Sequence, residues 1–85
     1  MKRKRITLKK GKALASENAS RLVKRANAHS SMIWIEQGSH HVNAKSMMGV
    51  MALKLMGGSV FDLIASGADE EEALDHVVTF LEEEL

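Results

Sequence analysis

A helical segment with a single apolar face constrains this chain more than any other feature of its sequence. Ser16 is a suitable N-cap for that helix. The apolar residues that follow it recur at the spacing of one helix face: Ala19, Leu22, Val23 and Ala26. Because the other faces are polar, the helix has to lie against another layer of structure. The sequence therefore predicts a domain in which this helix covers a sheet.

Segments with the pattern of short strands alternate with the helical ones. Polar and apolar residues alternate at 5–8, and 32–36 is rich in strand-forming side chains. A glycine–serine turn then leads into a short strand at 41–44, and 60–65 is an apolar run too short for a helix. The predicted order is β-α-β-β-α-β-α. One sheet with helices on one face, an open-faced α+β sandwich, accommodates this order.

The second helix is predicted to start after Ser46, which stands at the N-cap position, and to end at Gly57 and Gly58. Its early apolar residues include Met47 and Met48. Neighbouring helix positions point about 100° apart, so the core cannot bury both of these side chains. We therefore expect one of the two methionines to be exposed, where a polarizable side chain suits a docking surface.

The last strand and helix give more detailed expectations. If Phe61 and its alternate neighbours face the core, Asp62 is solvated. Asp69 and Glu72 have the spacing of a capping box. The helix that follows has an apolar stripe for burial: Ala73, Leu74, Val77, Phe80 and Leu81.

Composition excludes several classes of function. A chain of 85 residues supports one modest core, so we expect a single domain over 1–85. The chain has no cysteine, which excludes disulfides, thiolate ligands and a cysteine nucleophile. We find no signal-peptide pattern and no apolar stretch that could span a bilayer. The sequence predicts a soluble, cytoplasmic protein without a membrane partner.

The net charge of +1 conceals a basic start and an acidic end. The first twelve positions contain no acidic residue and seven basic ones: Lys2, Arg3, Lys4, Arg5, Lys9, Lys10 and Lys12. Such a run attracts nucleic acid or protects an exposed strand edge. It contains no aromatic residue for stacking on bases, so we favour the edge strand over nucleic-acid binding.

Four histidines raise the possibility of a metal site: His29, His40, His41 and His76. His40 and His41 are neighbours on a strand and face opposite ways, so they do not chelate as a pair. No cysteine or spaced carboxylate cluster supports structural zinc. We therefore predict surface histidines, no metal and no cofactor.

Two motifs, Asn43 to Met51 and Gly67 to Glu70, together resemble the HPr family, the phosphocarrier proteins of the bacterial sugar phosphotransferase system. Residues 43–51, Asn-Ala-Lys-Ser-Met-Met-Gly-Val-Met, are similar to the regulatory-serine and docking region of that family. Residues 67–70, Gly-Ala-Asp-Glu, followed by Ala73 and Leu74, resemble the start of its last helix. The resemblance implies a four-stranded, mainly antiparallel sheet with three helices on one face. It also identifies Ser46 as the candidate acceptor of a kinase.

The chain departs from the family at the start of the first helix. Family members carry a phosphorylatable histidine and an arginine there, followed by proline. The matching positions here are Ala15, Glu17 and Asn18. Alanine accepts no phosphoryl group, and Glu17 repels the anion that arginine attracts. The resemblance therefore points to the histidine-less catabolite-repression members, which act as regulators rather than enzymes.

The implied partners are proteins: an HPr-kinase, and a transcription regulator or sugar-system protein. On this reading the partner-binding patch consists of Lys45, Met47, Met48 and Met51, and Lys45 attracts a phosphate on Ser46. Two alternatives remain. The protein is a phosphocarrier that uses another residue, such as Ser16 or His29, or it is a nucleic-acid-binding domain.

Overall fold

The computed structural model describes all residues from Met1 to Leu85. Its strands are β1 Lys2–Thr7, β2 Met32–Gln37, β3 His40–Asn43 and β4 Val60–Ser66. Its helices are α1 Ser16–Asn27, α2 Met47–Ala52 and α3 Glu70–Thr79, and a π-helical turn at Phe80–Glu84 continues α3. The predicted order of elements is confirmed. No helix has the length and apolar character needed to cross a membrane.

The four strands form one sheet in the order β1-β4-β2-β3, and every neighbouring pair is antiparallel. The basic strand β1 lies at one edge, as its lysines predict. The helices cover one face of the sheet, because one cluster of buried side chains joins the three helices to all but the shortest strand. The open-faced α+β sandwich is therefore confirmed.

Each predicted apolar stripe contributes to this core. Helix α1 buries Ala19, Leu22 and Ala26, while Val23 is half-buried at the margin. The stripe of α3 and its π-turn is buried throughout: Ala73, Leu74, Val77, Phe80 and Leu81. Phe61, Leu63 and Ala65 of β4 are buried in the same cluster.

Asp62 is not solvated, which corrects the expectation for β4. It lies on the helix-free face of the sheet and retains 9% of its exposure. Arg3 donates to one carboxylate oxygen at 2.7 Å, and Arg5 donates to the other at 3.0 Å. Hydrogen bonds from Arg5 and Arg3 lower the pKa of Asp62. Two arginines on the neighbouring strand thus cover and neutralise this carboxylate.

Helix α2 is shorter than predicted, because it ends at Ala52 and Leu53 caps it. Lys54 then takes a positive φ of 51° and turns the chain away. Gly57 serves a close approach of two backbones instead of a helix end. A Cβ there would lie 2.7 Å from the carbonyl oxygen of Lys9.

Two predicted caps are also wrong. Ser16 is the first residue of α1, with φ at 48°, and Ala15 holds the N-cap position without a side-chain hydrogen bond. Asp69 occupies the predicted N-cap position of α3, but its side chain makes no capping bond, because Ser31 and His29 bind its carboxylate instead. Glu70 reaches back to accept from the Gly67 amide at 3.1 Å.

Candidate functional site

Ser46 caps α2, as the sequence predicts. Its Oγ accepts a hydrogen bond from the Gly49 amide at 3.1 Å. Its own amide donates to the Asn43 carbonyl at 3.1 Å, and the Asn43 side chain accepts from the Lys45 amide at 2.8 Å. These bonds fix the turn between β3 and α2. The hydroxyl is therefore held at a helix start, in a residue that is half-buried.

The methionines of α2 separate into exposed and packed positions. Met48 is 84% exposed and Met51 42% exposed. Met47 is half-buried against the core, while Val50 is fully buried. One of the adjacent methionines is thus exposed, as expected. Ser46, Met48 and Met51 make up an accessible surface that we call the α2 surface.

Lys45 points away from Ser46. Its ammonium donates to the His29 carbonyl oxygen at 2.6 Å, just beyond the end of α1. Its backbone carbonyl accepts from the Asn27 side chain at 3.2 Å. The side chain also lines a shallow pocket with Trp34 and Asn43. Lys45 thus joins the β3–α2 turn to the end of α1. In this conformation its ammonium is engaged in the hydrogen bond to the His29 carbonyl.

Ala15, Glu17 and Asn18 lie at the start of α1. Ala15 and Glu17 are exposed, and Ala15 has extended backbone angles. The Asn18 side chain donates to the Ala13 carbonyl at 3.1 Å, which closes the turn before the helix. This end of α1 therefore presents a methyl group and an acidic side chain to solvent.

Sequence reasoning missed a polar cluster that the fold assembles from distant residues. His29 Nδ1 lies 2.9 Å from an oxygen of Asp69, and its Nε2 lies 2.8 Å from Nδ1 of His76. The other Asp69 oxygen accepts from the backbone and hydroxyl of Ser31. The His29 side chain is only 12% exposed, so the prediction of a surface histidine is wrong for this residue.

Hydrogen bonds from Ser31 and His29 hold the pKa of Asp69 well below its usual range. The Asp69 carboxylate therefore stays ionised and fixes the ring of His29. No group of three or more histidine, aspartate or glutamate side chains is placed to hold a metal ion. A separation of 47 residues between His29 and His76 leaves no local sequence signal for their contact.

The sheet, the helices on one face and the serine-capped α2 define an HPr-like α+β domain. The family described as the PTS HPr component phosphorylation site matches residues 2–83. This chain belongs to the HPr family.

Two Crh proteins and one HPr crystal structure are similar to the chain. The HPr-like protein Crh of Halalkalibacterium halodurans is 39% identical over 84 residues, which cover 99% of this chain and 100% of that protein. Crh of Bacillus subtilis is 39% identical over 80 residues, or 94% of this chain and 92% of that protein. The crystal structure of HPr-C-His from Thermoanaerobacter tengcongensis has a TM-score of 0.92 at 41% identity, and covers 96% of this chain and 92% of that one.

Proposed function

We propose that this protein is a non-enzymatic regulatory member of the HPr family that does not carry phosphoryl groups on a histidine. The observation that carries the proposal is Ala15 at the start of α1. An imidazole there is the chemical requirement of a histidine phosphocarrier, and alanine offers no nucleophile. Glu17, exposed in the first turn, opposes an incoming anion. The similarity to Crh proteins supports the same assignment.

The proposed regulatory acceptor is Ser46. The residue is half-buried and stands at the N-terminus of α2, where free amides and the helix dipole favour a phosphate. The α2 helix contains no acidic residue that would repel the new charge. Phosphorylation by an HPr-kinase would therefore be compatible with the local structure, and a cytoplasmic setting forms part of the proposal.

The proposed partner surface is the α2 surface, with Met47 and Lys45 at its margin. Met48 and Met51 present exposed thioether side chains, which adapt to different partner shapes. A phosphate on Ser46 would add nearly two negative charges at their edge. A transcription regulator or sugar-system protein that docks there would then distinguish the two forms by its own charge.

The alternatives find less support. His29 stands beyond the C-terminus of α1, where the dipole disfavours a phosphate, and both of its ring nitrogens are hydrogen-bonded. Ser16 is exposed, but a phosphoserine is a poor reversible carrier. For nucleic-acid binding, Arg3 and Arg5 are already paired with Asp62, and Trp34 is half-buried beside His41.

The test is phosphorylation with two donors. An HPr-kinase and ATP should label the wild type and Ser20→Ala, which removes an exposed serine of α1, but should not label Ser46→Ala. Phosphoenolpyruvate and enzyme I should give no acid-labile phosphate on any of the three. Acid-labile phosphohistidine on the wild type would overturn the regulatory assignment. Labelling of Ser46→Ala by the kinase would remove Ser46 as the acceptor.

A further inference from the structure

The geometry points to a transition-metal site formed by His29 and His76, with two imidazole ligands arranged for Cu(II) or Ni(II). This site lies between the segment just after α1 and the last turn of α3, and it does not depend on the function proposed above. The two ring nitrogens that face each other, Nε2 of His29 and Nδ1 of His76, are 2.8 Å apart.

Asp69 prepares His29 as a ligand. An oxygen of its carboxylate lies 2.9 Å from Nδ1 of His29 and accepts a hydrogen bond there, which assigns the proton to that nitrogen. With the proton assigned to Nδ1, Nε2 is the ring nitrogen with a lone pair for a metal, and it is the atom that faces His76. A carboxylate behind a ligating histidine is the usual outer-shell arrangement of protein metal sites. Ser31 in turn binds the other Asp69 oxygen, so the carboxylate is itself held in place.

The spacing of the two nitrogens selects the class of metal. Two nitrogens bound to one metal at about 2.0–2.1 Å lie roughly 2.8–3.0 Å apart when the angle between them is near 90°. A tetrahedral angle requires a separation of roughly 3.3 Å. The observed 2.8 Å is an ordinary hydrogen-bond distance, and once the rings turn so that both lone pairs point at one ion it matches neighbouring positions of a square-planar or tetragonal ion, the geometry typical of Cu(II) and Ni(II).

The charges around the site are mixed, because α3 supplies acidic residues whereas the Lys45 ammonium is held at the backbone carbonyl of His29. His76 is exposed, and α3 contains no lysine or arginine. Glu72 precedes His76 by one helical turn and is also exposed, so it adds negative charge on the approach. No third side chain is placed to ligate, so water would complete the coordination. Such an ion would replace the hydrogen bond between the rings, and the proton of His76 would move from Nδ1 to Nε2 so that Nδ1 has a lone pair for the ion.

The site would bind metal only in the folded chain, because its ligands come from different elements 47 residues apart. Ligand binding to the folded state raises its stability by mass action. Metal binding and the rise in thermal stability can therefore be measured separately for the same site. The exposed pair His40 and His41 provides a natural comparison, since it lies on β3 at the far edge of the sheet.

The test uses the metal alone with the full chain. Cu(II) below stoichiometric amounts should broaden amide signals around His29 and His76 in a two-dimensional NMR spectrum of the wild type. NiCl₂ should raise the Tm of the wild type and of His41→Gln, which also lacks one imidazole. It should not raise the Tm of His76→Gln. Asp69→Asn, if folded by near-UV circular dichroism, should weaken Ni(II) binding by about 10–100-fold.

Two results would overturn the site. One is Ni(II) affinity and stabilisation of His76→Gln equal to those of the wild type. The other is Cu(II) broadening centred on His40 and His41 or on the amino terminus. The Cu(II) broadening is measured on the wild type. The site can therefore be tested even if the substituted proteins fail to fold.

Discussion

The guanidinium carbon of Arg25 lies 4.4 Å from the centroid of the Phe80 ring, over its face. The same guanidinium donates to Glu84 at 2.7 Å. Arg25 belongs to the last turn of α1, whereas Phe80 and Glu84 form the π-helical turn. One side chain therefore joins the end of the chain to the first helix, partly through a buried ring and partly through a surface ion pair.

Replacing Arg25 should test this connection. Arg25→Ala removes a cation–π contact and an ion pair, which together contribute about 1 kcal/mol. Urea unfolding should show that loss in the free energy of unfolding. Lys24→Ala, which removes the exposed neighbouring cation, should stay within about 0.5 kcal/mol of the wild type. Equal losses in both variants would show that the Phe80 contact contributes nothing.

The carboxylate of Asp62 should make stability depend on acid pH. Its pKa is lower in the folded chain than the ordinary value of 3.8, because Arg5 and Arg3 donate to it. Its contribution is therefore complete above pH 3.8 and is lost as the pH falls toward the folded pKa. Asp62→Asn should lower stability at pH 7 by about 1–3 kcal/mol and flatten the acid slope. Urea midpoints from pH 2 to 7 measure both; an unchanged slope would contradict the assignment.

Two glycines should respond oppositely to alanine. At Gly57 the new Cβ would lie 2.7 Å from the Lys9 carbonyl oxygen and 2.8 Å from the Gly11 amide, so the backbones must separate. We expect Gly57→Ala to cost about 1–3 kcal/mol. At Gly49 in α2 the nearest atom is 3.4 Å away, and alanine favours the helix. Gly49→Ala should therefore be neutral or stabilising in thermal melts, and a loss as large as that of Gly57→Ala would refute the contrast.

Ser46 should contribute to stability as a cap, whatever its regulatory role. Ser46→Ala removes the acceptor for the Gly49 amide and should cost about 1 kcal/mol. Ser46→Asp retains an acceptor and adds a charge favoured at the helix start, so it should match the wild type within about 0.5 kcal/mol. Denaturant unfolding of the three proteins measures this order. A large loss in Ser46→Asp would argue that a phosphate is not tolerated there.

Restoring a phosphocarrier site should require two changes. Ala15→His alone should accept little phosphate from enzyme I, since Glu17 still opposes the anion. Ala15→His with Glu17→Arg should accept more, because arginine offers a planar fork of donors. Acid-labile phosphate measured after incubation with phosphoenolpyruvate and enzyme I compares them. Equal labelling would show that the Glu17 argument is wrong.

The sequence predicted the elements whose cause is local and missed those whose cause is tertiary. The stripe of α1 and the cap at Ser46 follow from spacing along the chain, and both are present. Asp62 was expected in solvent because the pattern of β4 does not reveal that Arg3 and Arg5 pair beside it. Asp69 was expected to cap α3, but Ser31 of another segment binds its carboxylate.

The candidate site around α2 was likewise predicted where its cause is local and missed where its cause is tertiary. The exposure of one α2 methionine follows from helix geometry alone, and Met48 is the exposed one. The direction of Lys45 depends on the carbonyl of His29, sixteen residues away, so spacing could not predict it. The contact of His29 with His76 likewise exists only after α1 and α3 have packed together.

Helix α2 has only six residues, and Val50 is its one buried side chain. Its attachment to the rest of the protein is therefore slight compared with that of α1 or α3. Segments held by so few buried contacts open locally at a free energy well below that of global unfolding. Amide protons of α2 should thus exchange with solvent before those of the sheet. The surface proposed to meet partners would therefore belong to a helix that can adjust to them without unfolding the sheet.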